Sequence, residues 1–228
     1  MKALILGDGL LGSEIIQQTG WDYLSRKKDG FNIRDVRTLP TGYDTIVNCI
    51  ANTNTYSEDK SAHWETNYSF VDRLVNYCNE KSFKLVHMST DYIYAGSPPN
   101  IDEESVPVHC NNWYTYTKLL SDGLVQLRSH NFLLCRCSQI QKPFPYKEAW
   151  TDRVSNMDYV DVISHLIIRL IKKNSTGVFN VGTEVKTTYE LAKQTRPVAK
   201  SLKPAHVPGD LSMNLSKLQN ELKKEKYA

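Results

Sequence analysis

Short apolar runs alternate with amphipathic stretches along this chain from its first residues. Lys2 to Leu6, Asp22 to Ser25, Asp44 to Ile50, Phe83 to Met88 and Phe132 to Cys137 have the length and apolar content of buried strands. Ser13 to Gln18 reads as a helix. Between Ser61 and Lys81 the residues Trp64, Tyr68, Val71, Leu74, Val75 and Cys78 recur at spacings of three and four, which predicts a helix with one apolar face. Strands of this kind separated by helices predict an α/β fold with a doubly wound parallel sheet.

The pattern lapses from Ser138 to Ser155, where Pro143 and Pro145 interrupt any helix. Beyond it, Val162, Ile163, Leu166, Ile167, Leu170 and Ile171 predict a core-facing helix. Val178 to Val181 predicts a short strand, Thr187 to Gln194 another helix, and Leu215 to Lys226 a charged terminal one. A chain of 228 residues can bury one substantial core. We therefore expect a dinucleotide-binding core over 1–140 and a small C-terminal substrate lobe over 141–228, packed on the core and not autonomous.

The dinucleotide expectation comes from Gly7-Asp8-Gly9-Leu10-Leu11-Gly12, which lies between the first strand and the first helix. In such a Rossmann-like turn Gly7 makes the tight bend, Gly9 lets a pyrophosphate approach the backbone, and Gly12 lets helix pack on strand. Leu10 and Leu11 open the helix whose N-terminus faces the phosphates. A second signal is Tyr114 and Lys118, four residues apart. On a helix they share a face, where an ammonium can favour the phenolate and lower the tyrosine pKa from about 10. Such a tyrosine can exchange a proton with a carbonyl or alcohol.

Composition narrows the field. Hydrophobic content of 40% and charged content of 23% are ordinary for a globular protein, and the net charge of +3 is evenly spread apart from Arg26-Lys27-Lys28 and Lys223-Lys224-Glu225-Lys226. Nothing here calls for nucleic acid. The terminal lysines read as a solvated helix face that complements the helix dipole. No apolar run approaches the roughly 20 residues of a membrane span, and a strand that starts at residue 2 leaves no room for a signal peptide, so a cytoplasmic enzyme is expected. The five cysteines, Cys49, Cys78, Cys110, Cys135 and Cys137, are odd in number and sit mostly in predicted elements, as reduced structural thiols do. They and the scattered histidines show no metal-ligand spacing, and no metal is expected.

The choice of nicotinamide cofactor turns on the end of the second strand. A carboxylate there would take ribose hydroxyls and repel a 2′-phosphate, whereas this chain has Arg26, Lys27 and Lys28. NADPH is expected, with NADH as the alternative if Asp22 or Asp29 reaches the ribose.

Further motifs carry a family resemblance. Val86-His87-Met88-Ser89-Thr90-Asp91-Tyr92-Ile93-Tyr94-Ala95-Gly96, after a central strand, resembles the Ser-Thr-Asp-Tyr-Val-Phe-x-Gly signature of the dTDP-4-dehydrorhamnose reductases, within the extended short-chain dehydrogenase/reductase superfamily. Phe31-Asn32-Ile33-Arg34-Asp35 is similar to that family's adenine-pocket segment. The run Ile46 to Thr53, including Ile50, Ala51 and Asn52, is similar to its strand end beside the cofactor. Asn67 stands where the family has an asparagine in the next helix, and Tyr159 to Val162 and Gly177 to Gly182 also agree. The resemblance implies that Thr90 hydrogen-bonds a substrate carbonyl, that Tyr114 donates the proton, and that Lys118 holds the nicotinamide ribose while lowering the tyrosine pKa. It places Asn32, Ile33, Ile50, Ala51, Asn52 and Asn67 near the cofactor.

Some residues depart from the family. The glycine loop is one residue shorter than usual, Thr115 replaces a small residue, and Gln139 stands where a tryptophan usually faces the sugar. The resulting expectation is an NADPH-dependent reductase of a 4-keto nucleotide sugar, with a homodimer left open. The alternatives are a nucleotide-sugar 4-epimerase and a non-catalytic NADP-binding regulatory subunit. A dehydratase is disfavoured because Tyr92, not a glutamate, follows Asp91.

Overall fold

The computed structural model describes residues 1–108 and 112–223. Its centre is a six-stranded sheet in which every neighbouring pair is parallel. The strands are β1 (Ala3–Leu6), β2 (Asp22–Leu24), β3 (Thr45–Asn48), β4 (Lys84–Thr90), β5 (Phe132–Cys137) and a last strand, Gly177–Val181. Across the sheet the order is β2, β1, β3, β4, β5, Gly177–Val181. The chain moves outward from β1 to β2 and then returns to β3 on the other side. That reversal opens a crevice at the carboxyl ends of β1 and β3, where ligands of such folds bind.

Strand periodicity explains the three layers, because alternate side chains point to opposite faces. Ala3, Ile5, Val47, Val86 and Cys135 face one core with Ile15 of helix α1 (Leu10–Thr19) and Ile163 and Ile167 of the Val160–Lys172 helix. Leu4, Leu6, Ile46, Leu85 and Leu134 face the other, with Val71, Leu74, Val75 and Val125. Each valine, leucine or isoleucine among them contributes on the order of 1.5–3 kcal/mol by leaving water.

The sheet draws on both sides of residue 140. The Gly177–Val181 strand and the Val160–Lys172 helix complete the main core, while the rest of 141–228 builds a small lobe. In that lobe Glu148–Trp150 pairs with Ala199–Ser201, and Val154–Ser155 pairs with Lys186–Thr187 and Asp210–Leu211 around Phe144, Ala149, Met157, Tyr159 and Leu191. The segment expected to be irregular thus carries short strands, too brief for a pattern of two to reveal.

Two other elements differ from the expectation. The Ser61 to Lys81 helix begins at Lys60 and contains a π-helical stretch, Trp64–Ser69, between the α-helical Lys60–His63 and Phe70–Lys81. Arg26 does not follow β2 directly as an extended residue. Ser25 follows β2 and caps a single helical turn, Arg26–Asp29, which Gly30 closes in the left-handed region. The terminal helix is described as Ser216–Lys223; Cys110 and the basic residues after Lys223 lie outside the described residues.

A buried polar network ties the layers together. Arg136 of β5 donates to both carboxylate oxygens of Asp122, at 3.0 and 2.8 Å, and to the Tyr94 hydroxyl at 2.5 Å. Tyr94 donates in turn to Asn180 at 2.9 Å, and Ser89 donates to Asp122 at 3.0 Å. Both charges are almost fully buried, so their mutual hydrogen bonds are what make the burial tolerable.

Candidate active site

The glycine loop is shaped by two close approaches. Gly7 has φ +97, open to glycine without strain, and a Cβ there would lie 2.8 Å from Ile50. At Gly12 a Cβ would meet the Gly7 carbonyl oxygen at 2.1 Å, so only hydrogen lets α1 pack this tightly. Gly9 has open space above it. It caps α1 with no side-chain hydrogen bond, which leaves the helix N-terminus facing the crevice.

That crevice has two connected parts. One, of about 340 Å³, is lined by Gly9, Leu10, Leu11, Cys49, Ala51 and, opposite, by Thr90, Tyr92, Tyr114, Lys118, Ser138 and Gln139. The other, of about 810 Å³, is lined by Arg26, Phe31, Asn32, Ile33, Ile50, Asn52 and Thr66. They share Gly9, Cys49 and Ala51. An elongated ligand with a central diphosphate fits this layout, with its middle at the open face of Gly9.

Thr90 is the last residue of β4, two positions further along than the apolar run suggested, and its backbone leaves the sheet at the crevice. Its hydroxyl accepts from the Tyr92 N–H at 3.3 Å and donates to Asp91 at 3.3 Å. Tyr114 and Lys118 lie one turn apart on the Trp113–Arg128 helix, which Asn112 caps through the Thr115 N–H at 2.8 Å. Thr90 and Tyr114 line the same part of the crevice, where the Thr90 hydroxyl favours the Tyr114 phenolate.

The electrostatics reverse one expectation. Burial pushes the Tyr114 hydroxyl above its ordinary range, with the Thr90 hydroxyl opposing and the nearby Asp91 adding to the rise. Lys118 is itself pushed down to about 8 by burial, against the pull of Cys137, Asp122 and Cys49. Its ammonium donates to the Met88 carbonyl at 2.6 Å. Desolvation outweighs the pairing that a shared helix face suggested, because both groups sit in the low-dielectric interior. The high tyrosine pKa keeps its proton on the oxygen at neutral pH, the form from which a proton can be given.

Two residues expected at the cofactor stand elsewhere. Lys27 is exposed on the helical turn and lines neither part of the crevice, since the turn directs only Arg26 inward. Asn67 is 1% exposed and acts behind the crevice wall. It accepts from the Asn52 N–H at 2.8 Å, donates to the Asn52 carbonyl at 3.1 Å, and donates to Thr117 at 3.2 Å. It thereby fastens the loop after β3 to the tyrosine helix, and the π-helical turn around it is a feature often found at such sites. The carboxylates that could have taken a ribose are engaged: Asp29 accepts from the Ser25 N–H at 3.0 Å and Asp22 from the Tyr43 hydroxyl at 2.9 Å. Lys28 lies 3.9 Å over the Tyr23 ring.

Sequence reasoning did not find Thr55 and Ser138 in the crevice wall, or Arg153 beside Asp91. Turn and loop residues carry no periodicity, so no pattern marked them. Among the described residues no cluster of histidine, cysteine, aspartate or glutamate could hold a metal ion, and no helix is long and apolar enough to cross a membrane.

A parallel six-stranded sheet, a glycine turn at its reversal and a tyrosine helix against the fourth strand define a protein with the Rossmann-like fold of the extended short-chain dehydrogenases/reductases. Residues 1–148 match the family described as RmlD substrate binding domain, and the chain belongs to that family. A dTDP-4-keto-6-deoxy-D-glucose reductase of Streptomyces niveus is 28% identical over 193 residues, covering 73% of this chain and 64% of that protein's length. Among solved structures, a hypothetical dTDP-4-dehydrorhamnose reductase from Sulfolobus tokodaii superposes with a TM-score of 0.79 at 20% identity, covering 96% of this chain and 94% of the other. The dTDP-4-dehydrorhamnose reductase of Bacillus anthracis in complex with NADP gives 0.78 at 20% identity, covering 96% and 92%.

Proposed function

We propose that this protein is an NADPH-dependent reductase of a 4-keto nucleotide sugar, in which Tyr114 donates the proton. The observation that carries this reading is the meeting of Thr90, Tyr114 and Lys118 in one crevice whose far end holds Arg26 and whose middle is the open face of Gly9. The names of similar proteins support it, since the curated relative is a dTDP-4-keto-6-deoxy-D-glucose reductase and a structural neighbour holds NADP.

In this reading Arg26 grips the 2′-phosphate, and Phe31, Asn32 and Ile33 border the adenine. The N-terminus of α1 receives the diphosphate at Gly9, Leu10 and Leu11. The bound nicotinamide supplies the hydride. Thr90 polarises the keto oxygen and Tyr114 protonates it. Lys118 reaches the nicotinamide ribose from its place beside Met88. The region 1–140 serves the cofactor and the small lobe over 141–228 the sugar nucleotide, with Gln139 at the junction. The engagement of Asp22 and Asp29 argues against an epimerase that retains NAD through a ribose carboxylate.

The test is NADPH oxidation, followed by its absorbance, with a panel of dTDP- and UDP-linked 4-keto sugars. Turnover with at least one supports the reading. NADPH binding without oxidation of any would point to the regulatory-subunit alternative.

A further inference from the structure

Arg153 of the small lobe is a charged group that the proposed reaction does not use. It is 5% exposed, and among the described residues its guanidinium makes no hydrogen bond and no ion pair. Its Nε is sealed from solvent without a partner. Asp91 is near enough for the two charges to interact, yet no salt bridge joins them, and Oδ2 of Asp91 is unpartnered as well. Two aromatic rings flank the guanidinium instead: it lies 5.5 Å over the ring of Tyr92 and 6.0 Å over that of Trp150. Ring faces attract a cation but accept none of its N–H groups in the way an oxygen does. A buried charge with its donors unmet is costly, and an arginine is charged at any working pH.

The backbone that carries Arg153 is pinned on both sides. Its carbonyl accepts from the Thr188 N–H at 3.1 Å, and the next N–H, of Val154, donates to the Gly209 carbonyl at 2.8 Å. From this fixed base the side chain reaches Tyr92, which lines the crevice. Tyr92 in turn meets Tyr114, with ring centroids 6.4 Å apart. Arg153, Tyr92 and Tyr114 thus form a row from the small lobe to the proton donor, while Arg26 stands in the other part of the crevice.

We propose that Arg153 is an oxyanion anchor for the substrate, whose free N–H groups take a pair of anionic oxygens on the nucleotide sugar, from its diphosphate or from a carboxylate on the sugar. The inference rests on the reductase reading above and adds the group by which the small lobe recognises its ligand. A guanidinium presents parallel N–H donors that match phosphate and carboxylate alike, and the flanking rings hold that fork in one orientation. The cost of burying the charge falls on the protein before the ligand arrives, so an anion that meets the donors gains affinity there.

Calorimetric titration of the NADPH-loaded protein with dTDP-glucose, UDP-glucose and UDP-glucuronic acid separates the two sources. If the diphosphate is held, Arg153→Gln should bind all of them about ten- to a hundredfold more weakly. If a sugar carboxylate is held, only UDP-glucuronic acid should lose affinity. Arg153→Lys keeps the charge without the fork and should fall between wild type and Arg153→Gln. Without ligand, Arg153→Gln should melt at or above the wild-type temperature, because it removes an unpartnered buried charge; an arginine with a purely structural role would lower it. Asp91→Asn should bind as tightly as the wild type or more so, since a carboxylate beside the anion is gone.

Unchanged affinity in Arg153→Gln for every probe that the wild type binds overturns the inference and leaves the reductase reading standing. Equal losses in Asp91→Asn and Arg153→Gln also overturn it, since the arginine then acts by pairing with Asp91. Should Arg153→Gln fail to fold, full wild-type affinity in Arg153→Lys overturns it. A wild type that binds none of the nucleotide sugars overturns the reductase reading itself, and the anchor with it.

Discussion

Lys118 donates its ammonium proton to the main-chain carbonyl of Met88 at 2.6 Å, from a helix to the strand that carries Thr90 two residues later. This bond sets the spacing between the tyrosine helix and the end of β4. The lysine that reads as a tuner of Tyr114 is therefore also a spacer, and its charge is expensive where it sits. Removing it should therefore disturb stability as well as any part the lysine plays in the proposed reaction.

Lys118→Met should lose both rate and NADPH affinity, and it should also change how stability depends on pH. The folded chain releases the Lys118 proton at about 8, and the unfolded chain at the ordinary lysine value of 10.5. Between these the unfolded state holds more protons, so the Lys118 contribution to stability rises with pH across that window. The full rise is on the order of 3 kcal/mol. Urea unfolding of both proteins at pH 7 and pH 10 should show wild type gaining on Lys118→Met. A constant difference would show that the lysine is not desolvated as the structure indicates.

Tyr114→Phe should lower turnover by about 10²–10⁴-fold, the usual worth of a positioned general acid, while NADPH affinity stays within about twofold. The ring still fills its buried place, so stability should change little. Steady-state kinetics with fluorescence titration of NADPH decide it, and a near-normal rate would remove Tyr114 from the chemistry.

Arg26→Ala should weaken NADPH by about 1.5–3 kcal/mol, the scale of a hydrogen bond to a charged group, and leave NADH nearly unchanged. Lys27→Ala should change neither, because Lys27 stands outside the crevice. Equal losses for both cofactors in Arg26→Ala would show that Arg26 meets no 2′-phosphate.

The glycine loop separates packing from binding. Gly12→Ala should destabilise the fold by about 1–3 kcal/mol or more, since its Cβ would collide with the Gly7 carbonyl at 2.1 Å. Gly9→Ala has open space and an ordinary φ of −69, so stability should hold within about 0.5 kcal/mol. Its NADPH affinity should nevertheless fall about tenfold or more if the diphosphate lies on that open face. Thermal melts and cofactor titrations of the two variants test both halves.

The local pattern of this chain determined the elements that are long or strongly marked. The apolar runs of β1 to β5, the face of the Phe70–Lys81 helix and the Gly7 to Gly12 turn follow from spacing alone, because strand and helix periods are local properties of the backbone. The pairing of Tyr114 with Lys118 on one helix face was legible for the same reason. Tertiary structure alone decided the rest. Nothing local marks the π-helical turn that aims Asn67 at Asn52 and Thr117, or the helical turn after Ser25 that points Arg26 inward and Lys27 out. The Arg136–Asp122 pair joins residues from a strand and a helix that meet only when the sheet closes. The raised Tyr114 and the lowered Lys118 depend on how much water folding removes around each group, and burial, unlike spacing, is set by the whole chain at once.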